Sequence, residues 1–423
     1  MHGILRLRYA HLPTFAPLRM TRFLTALPAA TLPRVQPLLR RLLGLHPAAV
    51  KESALLGIGH AAREEEHREE SSEEVAHDRC IHALPRAGNR HASPLTQRLP
   101  PRARLATQVT MQKVPLGESK LQSSRLAYGC WRIACTGNIQ EDLKTARAAI
   151  LAAVEAGYTL FDHADIYCKG RAESAFGEVL RENPSLRKKI LIASKCGIRV
   201  ADDPPGAPQR YDFTAEHIIR SCEQSLKRLH SDRIDLYQLH RPDWLMEVDE
   251  IAIAFSSLYK SGKVREFGVS NFRPSQVSLL QRAVQQKIDR NLVGNQVEIS
   301  LTQLAAFEDG TLDQCQALHI TPLAWSPLGG GLLGDGATDL LPGQKGYKPN
   351  AINTVLDEIA TARGTTRVAI ALAWLLKHPT KIIPIIGSVN PERIRAAAKA
   401  AEIELTREEW YKLLIAARGT PLP

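Results

Sequence analysis

From about residue 111 onward the chain alternates two kinds of segment. Near-continuous apolar runs (RLAYGCW, YTLFDHADIY, KILIASK, IDLYQLH, VREFGVSN, NLVGNQVEIS, ITPLAWSPLG and KIIPIIGS) are separated by stretches with helical spacing. The latter include IQEDLKTARAAILAAVEAG, ESAFGEVLREN, TAEHIIRSCEQSLKRL, DEIAIAFSSLYKSG, PSQVSLLQRAVQQK, DQCQALH, NTVLDEIATARG with RVAIALAWLLKHP, and PERIRAAAKAAEIEL. Runs rich in Val, Ile and Leu read as strands buried on both faces, and a strict β-then-α order reads as a parallel sheet. Eight such units close most simply into a (β/α)8 TIM barrel of the α/β class, whose active site lies on the loops after the strand C-termini. A short N-terminal β-hairpin, VPLGESKLQSSRLAYG, is expected to open the barrel.

Asp162, Tyr167, Lys195 and His240 sit at or just past the ends of three successive apolar runs. Ser270, Asn271, Gln296, Trp325 and Ser388 extend the pattern through the later runs. A buried strand ordinarily ends in turn residues, so ionisable groups repeated at strand ends are expected to converge on one rim. Here the segments FDHADIY, LIASK, LYQLHRPD, GVSNF, NQVEIS and AWSPLGGG, in that order, resemble the aldo-keto reductases, nicotinamide-dependent barrel enzymes. The resemblance runs from about Val114 to the C-terminus. It implies a catalytic tetrad of Asp162, Tyr167, Lys195 and His240. It also implies that Ser270, Asn271 and Gln296 hydrogen-bond the nicotinamide carboxamide and that Trp325 stacks on its ring. Ser326, Leu328 and Gly330 are implied at the pyrophosphate, and Ser388 and Arg393 at the 2'-phosphate of NADP(H).

The chemistry asked of such a tetrad follows from reduction of a carbonyl. As hydride arrives at carbon, charge builds on oxygen and an acid must supply a proton there. Tyr167 is the candidate acid, and an unperturbed phenol, with a pKa near ~10, is weak for that task. Lys195 as an ammonium is expected to lower it, Asp162 to hold Lys195 charged and oriented, and His240 to polarise the substrate carbonyl. Taken singly, Asp162 also reads as a turn or cap residue, Tyr167 as a rim tyrosine and His240 as a core histidine. His163 is expected to face the opposite side of its strand in a structural role. Two positions depart from the family pattern: Gly387, where many members have lysine, and Cys168, where glycine is usual after the tyrosine. The first predicts a moderate preference for NADPH over NADH. The second could narrow the substrate mouth or act as a redox-sensitive thiol, beside the plainer reading of an inert cysteine.

Composition changes the picture only at the N-terminus. The net charge is +11, but residues 1–110 hold 16 Lys and Arg against 9 acidic residues and the remaining 313 residues hold 39 against 35. The excess is therefore mostly in the leader, and the barrel shows no basic stripe with interleaved aromatics, which argues against nucleic-acid binding. The leader carries an acidic knot, REEEHREESSEE, and no sustained period, so it is expected to be disordered. Translation from Met111 is the favoured reading, with an organelle transit peptide or a regulatory arm as alternatives. Seven cysteines without a CxxC pair read as reduced thiols, and no apolar run approaches the ~18 residues that span a bilayer. The expected protein is a cytoplasmic NADPH-dependent reductase of a small carbonyl or sugar substrate, with no metal and no membrane partner. The alternatives are a sugar or alcohol dehydrogenase running in reverse, and an NADPH-binding partner module like potassium-channel β-subunits. The loops Ile198–Phe213 and Gly329–Asn350 are expected to frame the pocket.

Overall fold

The structure, a computed structural model, describes residues 111–335 and 349–423. The leader with its Cys80, and residues 336–348 of the second framing loop, lie outside the described residues.

The chain opens with the expected hairpin, β1 (Lys113–Pro115) paired antiparallel with β2 (Gln122–Ser124). Gly117 turns it at φ +55°, and a Cβ there would lie 2.8 Å from the Val293 Cα. The turn must therefore be glycine for two reasons: backbone conformation and close approach. The Gly117 N–H donates to Thr321 Oγ1 at 2.7 Å, which fixes the hairpin against the strands above it.

Eight parallel strands then close a barrel: β3 (Ala127–Gly129), β4 (Leu160–Asp162), β5 (Leu191–Cys196), β8 (Ile234–Leu239), β9 (Val264–Ser270), β10 (Gly294–Glu298), β11 (Thr321–Trp325) and β12 (Ile383–Ile386), with β12 pairing back to β3. The intervening β6 (Ile198–Arg199) and β7 (Arg210–Tyr211) form a small antiparallel hairpin in what reads from sequence as an unstructured loop. The main outer helices are α1 (Ile139–Glu155), α2 (Arg171–Glu182), α3 (Ala215–Arg228), α4 (Val248–Lys260) and α5 (Pro274–Ile288). They continue with the short α6 (Ala305–Glu308) and α7 (Thr311–Ala317), then α8 (Pro349–Ala362), α9 (Arg367–Leu376) and α10 (Pro391–Ala398). Several start where the sequence supplies a side-chain cap: Asn138 accepts from the Gln140 and Glu141 N–H groups, Thr214 from His217 and Asn390 from Glu392 and Arg393. A final helix, α11 (Arg407–Arg418), falls outside the eight-unit pattern. Its signals were local: a Thr406–Glu409 capping box and Gly419 in the left-handed conformation after its end.

Alternate strand residues share a face, and this period builds the interior. Leu160, Ala193, Leu236, Leu323 and Ile385 pack together with Leu116 and Leu121 of the hairpin into an apolar floor. Two residues further along the same strands stand Asp162, Lys195, Gln238, Trp325 and Gly387. The outward positions, among them Tyr128, Phe161, Ile192, Tyr237 and Phe267, pack against the helices. No described helix is long and apolar enough to cross a membrane.

Candidate active site

Lys195 organises the rim. Its side chain is fully buried at the end of β5, and its ammonium donates to Asp162 Oδ2 at 2.8 Å, to the His163 carbonyl at 2.7 Å and to the Tyr167 hydroxyl at 3.0 Å. An ammonium has three donors, so all are used. Because the Tyr167 oxygen accepts from Lys195, the phenol keeps its own proton for another acceptor. Asp162 is held from its other oxygen by Gln296, whose Nε2 donates to Oδ1 at 2.8 Å. The Tyr167 and His240 rings meet edge to face with centroids 6.0 Å apart, which places all four expected tetrad residues in one cluster.

A second chain of bonds runs beside the first. Trp325 Nε1 donates to Asn271 Oδ1 at 3.1 Å, and the Asn271 amide donates to Ser270 Oγ at 3.0 Å and to the His240 carbonyl at 3.2 Å. Ser270 Oγ in turn donates to the Gln296 carbonyl at 2.9 Å. Asn271 sits at φ +60°, a conformation asparagine tolerates better than most residues. Ser270, Asn271, Gln296 and Trp325 thus form one network on the side of the rim facing the tetrad. Gln296 already spends its amide N–H on Asp162, so its link to the tetrad is direct.

The electrostatics depart from expectation at one point. Burial is the largest influence on Tyr167 and raises its pKa; Lys195 lowers it, as the sequence suggested, but the net shift is upward. The expected depression of the phenol is therefore corrected: desolvation outweighs the nearby ammonium. Lys195 shows the converse balance. Burial disfavours its charge, yet Asp162 and Tyr167 together carry its pKa above the usual lysine value. Burial, with Lys195 and Arg241, pushes His240 well below the ordinary histidine range, and its Nδ1 has no protein partner. At neutral pH the cluster therefore combines a protonated phenol, an ammonium and a neutral imidazole.

This geometry can be set against known proteins. A sequence profile described as the aldo/keto reductase family matches residues 125–416. The chain belongs to the aldo/keto reductase family. It is 40% identical over 314 residues to a 6-dehydroglucose reductase of Novosphingobium aromaticivorans, covering 73% of this chain and 96% of that protein. It is 38% identical over 321 residues to the oxidoreductase YdhF of Escherichia coli, covering 74% and 100%. Among solved structures it resembles the thermostable aldo-keto reductase Tm1743 in complex with the inhibitor epalrestat, with TM-score 0.60, 27% identity and coverage of 72% and 100%. The barrel and the oxidoreductase class follow from this membership.

The remaining rim residues of this aldo/keto reductase fall into two groups. Ser326, at φ +48°, accepts from the Gly329 N–H at 2.8 Å through its carbonyl, and Gly329, Gly330 and Gly331 all have positive φ. Leu328 is half-buried and its side chain packs into the core, leaving its backbone to face the loop. After β12, the Ser388 carbonyl accepts from the buried Tyr128 hydroxyl at 3.0 Å, and Arg393 is exposed in the first turn of α10. Sequence reasoning missed two residues beside them, Trp131 and Arg132. Trp131 stacks on Tyr167 at 6.2 Å, and Arg132 lies so close that a Cβ on Gly387 would be 3.2 Å from its Nη1. Their signal was the rule already applied elsewhere: they end the first apolar run, RLAYGCW, and its following residue.

Cysteine usage is also corrected. Cys135 and Cys168 are joined by a disulfide across 33 residues, while Cys130, Cys196, Cys222 and Cys315 are free and buried. The spacing gave no CxxC signal because the two loops meet only in the folded barrel. His163 is where expected, fully buried with its ring edge-on to Phe176 at 4.4 Å.

Proposed function

We propose that this protein reduces aldehydes or ketones, including sugar carbonyls, to alcohols with NADPH, and that Tyr167 donates the proton. The observation carrying this reading is the three-way bond of Lys195, which donates to the Tyr167 oxygen and so leaves the Tyr167 proton available to a substrate. A nicotinamide, when bound, supplies the hydride. Tyr167 then gives its proton to the carbonyl oxygen, and the Lys195 ammonium, 3.0 Å from the hydroxyl, stabilises the phenolate left behind. The upward shift of Tyr167 favours this direction, because the acid stays protonated across the neutral range. Neutral His240 orients the carbonyl by hydrogen bonding.

The residues present fit a dinucleotide. Trp325 offers a ring face held at its Nε1, Asn271 and Ser270 offer polar groups beside it, and the positive-φ glycines admit close backbone approach to an anion. For the 2'-phosphate, Arg393 lacks a side-chain ion pair among the described residues, and Arg132 places a second guanidinium over Gly387. Arg132 thus brings, from the turn after β3, a cation to the place where many members have lysine at Gly387. That supports NADPH over NADH despite the glycine. The 6-dehydroglucose reductase relatives favour a sugar carbonyl among the substrates.

The test is Tyr167→Phe, with NADPH and NADH oxidation followed over a panel of aldehydes, ketones and oxidised sugars. The variant retains cofactor binding and loses turnover by roughly 100- to 10,000-fold. Near wild-type turnover would remove Tyr167 as the acid.

A further inference from the structure

Among the described residues, Cys135 and Cys168 stand apart from the other cysteines. Cys130, Cys196, Cys222 and Cys315 are buried, and burial raises each thiol pKa, to about 12 for Cys222 and Cys315. Such thiols are unreactive. Cys135 and Cys168 are both partly exposed, and their Cα atoms are 5.5 Å apart.

Their position is specific. Cys135 follows the 3-10 turn Trp131–Ala134, and Cys168 follows Tyr167 in the turn Tyr167–Gly170. Cys168 and Lys169 adopt φ of +50° and +57°, values at which glycine would be the unstrained choice. A side chain is kept there at a cost in backbone energy, and that side chain bonds across to the other turn. The Trp131 carbonyl lies 3.0 Å from the Cys168 sulfur and 3.1 Å from the Cys135 sulfur, and the Trp131 ring stacks on Tyr167. Near the surface the segments are also joined by a 3.4 Å bond from Arg171 Nε to the Ala134 carbonyl, and beneath it Ile133 and Ala134 share the buried core with Ala172 and Phe176. Tyr167, by contrast, is also anchored independently by Lys195. Ile133 and Ala134 stay buried in the core, so opening the disulfide loosens the exposed Trp131 end of the turn and leaves the acid in place.

We propose that Cys135–Cys168 is a reversible thiol–disulfide clasp that fixes the Trp131 wall of the substrate mouth when oxidised and releases it when reduced. This rests on the carbonyl-reductase reading above. Partly exposed disulfides are the labile ones, and in a reducing compartment they serve as regulatory rather than permanent links. In the opening step a glutathione thiolate attacks one sulfur, the S–S bond breaks, and the displaced sulfur takes up a proton. A second glutathione resolves the mixed disulfide. Two electrons and two protons pass to the protein and glutathione disulfide leaves; closure runs the same exchange backwards with glutathione disulfide as oxidant.

The experiment equilibrates the full chain in glutathione buffers from reduced to oxidised, traps thiols by alkylation, and maps an unreduced digest. The Cys135–Cys168 peptide is expected at the oxidised end and alkylation of both Cys135 and Cys168 at the reduced end, with Cys130, Cys196, Cys222 and Cys315 unmodified in the native protein throughout and Cys80 read separately from its own peptide. On reduction, KM for a bulky sugar aldehyde rises about threefold to tenfold, as for loss of one positioned contact, while kcat for a small aldehyde changes by less than about twofold. Cys135→Ser shows the reduced-state constants in every buffer. Tryptophan fluorescence reads the clasp without turnover: it shifts between buffers in the wild type and stays constant in Cys135→Ser, so a failed clasp is distinguishable from a failed enzyme reading. Free thiols at both positions in oxidised buffer, or identical KM and fluorescence in the two states, would overturn the proposal.

Discussion

The two ends of the barrel interior are built from the same strands and differ by one step of the pleat. On the hairpin side, Leu160, Ala193, Leu236, Leu323 and Ile385 make a dry floor. One inward position later, Asp162, Lys195, Gln238, Trp325 and Gly387 make a polar rim. The floor draws its energy from area removed from water and from close packing. The rim costs desolvation energy, recovered only where partners are complete, as in the three bonds of Lys195. The contrast teaches that stability and chemistry are separable along a single strand, and substitutions can test how separable.

The largest expected effect breaks that separation. Lys195→Met removes the cation paired with buried Asp162, leaving the carboxylate, among the described residues, with the Gln296 side chain. Stripping one partner from a buried pair costs about 3–5 kcal/mol. Turnover should also fall by at least roughly 100-fold, because the phenolate loses its stabilising charge. Denaturant unfolding and steady-state kinetics on the same preparation check both; a loss of activity with unchanged stability would show that Asp162 does not depend on Lys195.

Leu236→Ala sharpens the contrast from the other side. Leu236 is fully buried, and its methyl groups lie 3.3 Å and 3.8 Å from where Cβ atoms would stand on Gly268 and Gly294. The glycines facing it have no side chain to move into the space, so the cost should fall near the upper part of the ~2–5 kcal/mol range for such truncations. The folded fraction should keep kcat within about twofold. A large fall in kcat at a temperature where the variant is fully folded would mean that the floor sets the geometry of the rim.

What the sequence disclosed follows the same division. The barrel was legible because buried parallel strands leave unbroken apolar runs, and the tetrad because Asp162, Lys195 and His240 interrupt those runs at their ends. The disulfide and the contact of Arg132 with Gly387 were not legible, since both join segments distant along the chain and neither spacing carries a signal. The upward shift of Tyr167 is not legible for a related reason: the neighbouring lysine is part of a motif, whereas the burial that outweighs it depends on packing by Trp131 and other residues from separate segments. The helix α11 lies after the eighth unit, so the β-then-α period does not reach it, and its signal is the local Thr406–Glu409 capping box.

The smallest effect concerns the residue that faces away from the rim. His163 follows Asp162 but is fully buried, and burial, with Lys195, lowers its pKa from 6.5 to about 3. Above pH 6.5 it is neutral whether the chain is folded or not. Below that value the unfolded chain takes up a proton and the folded chain does not, so stability falls as pH drops toward about 3, by ~1.4 kcal/mol per unit. Asp165 acts in the opposite sense, since burial raises its pKa to about 7 and its ionisation disfavours the fold as pH rises through that window. Comparing wild type with His163→Leu cancels Asp165, which both proteins retain. Leucine keeps an apolar contact with Phe176 and removes two ring nitrogens that have no protein partner. Between pH 7.5 and pH 5, the wild type should therefore lose about 2 kcal/mol relative to the variant, measured by urea unfolding at each pH. Equal pH dependence in the two proteins would mean that His163 is protonated within the fold, and that the outward face of β4 is less dry than its packing implies.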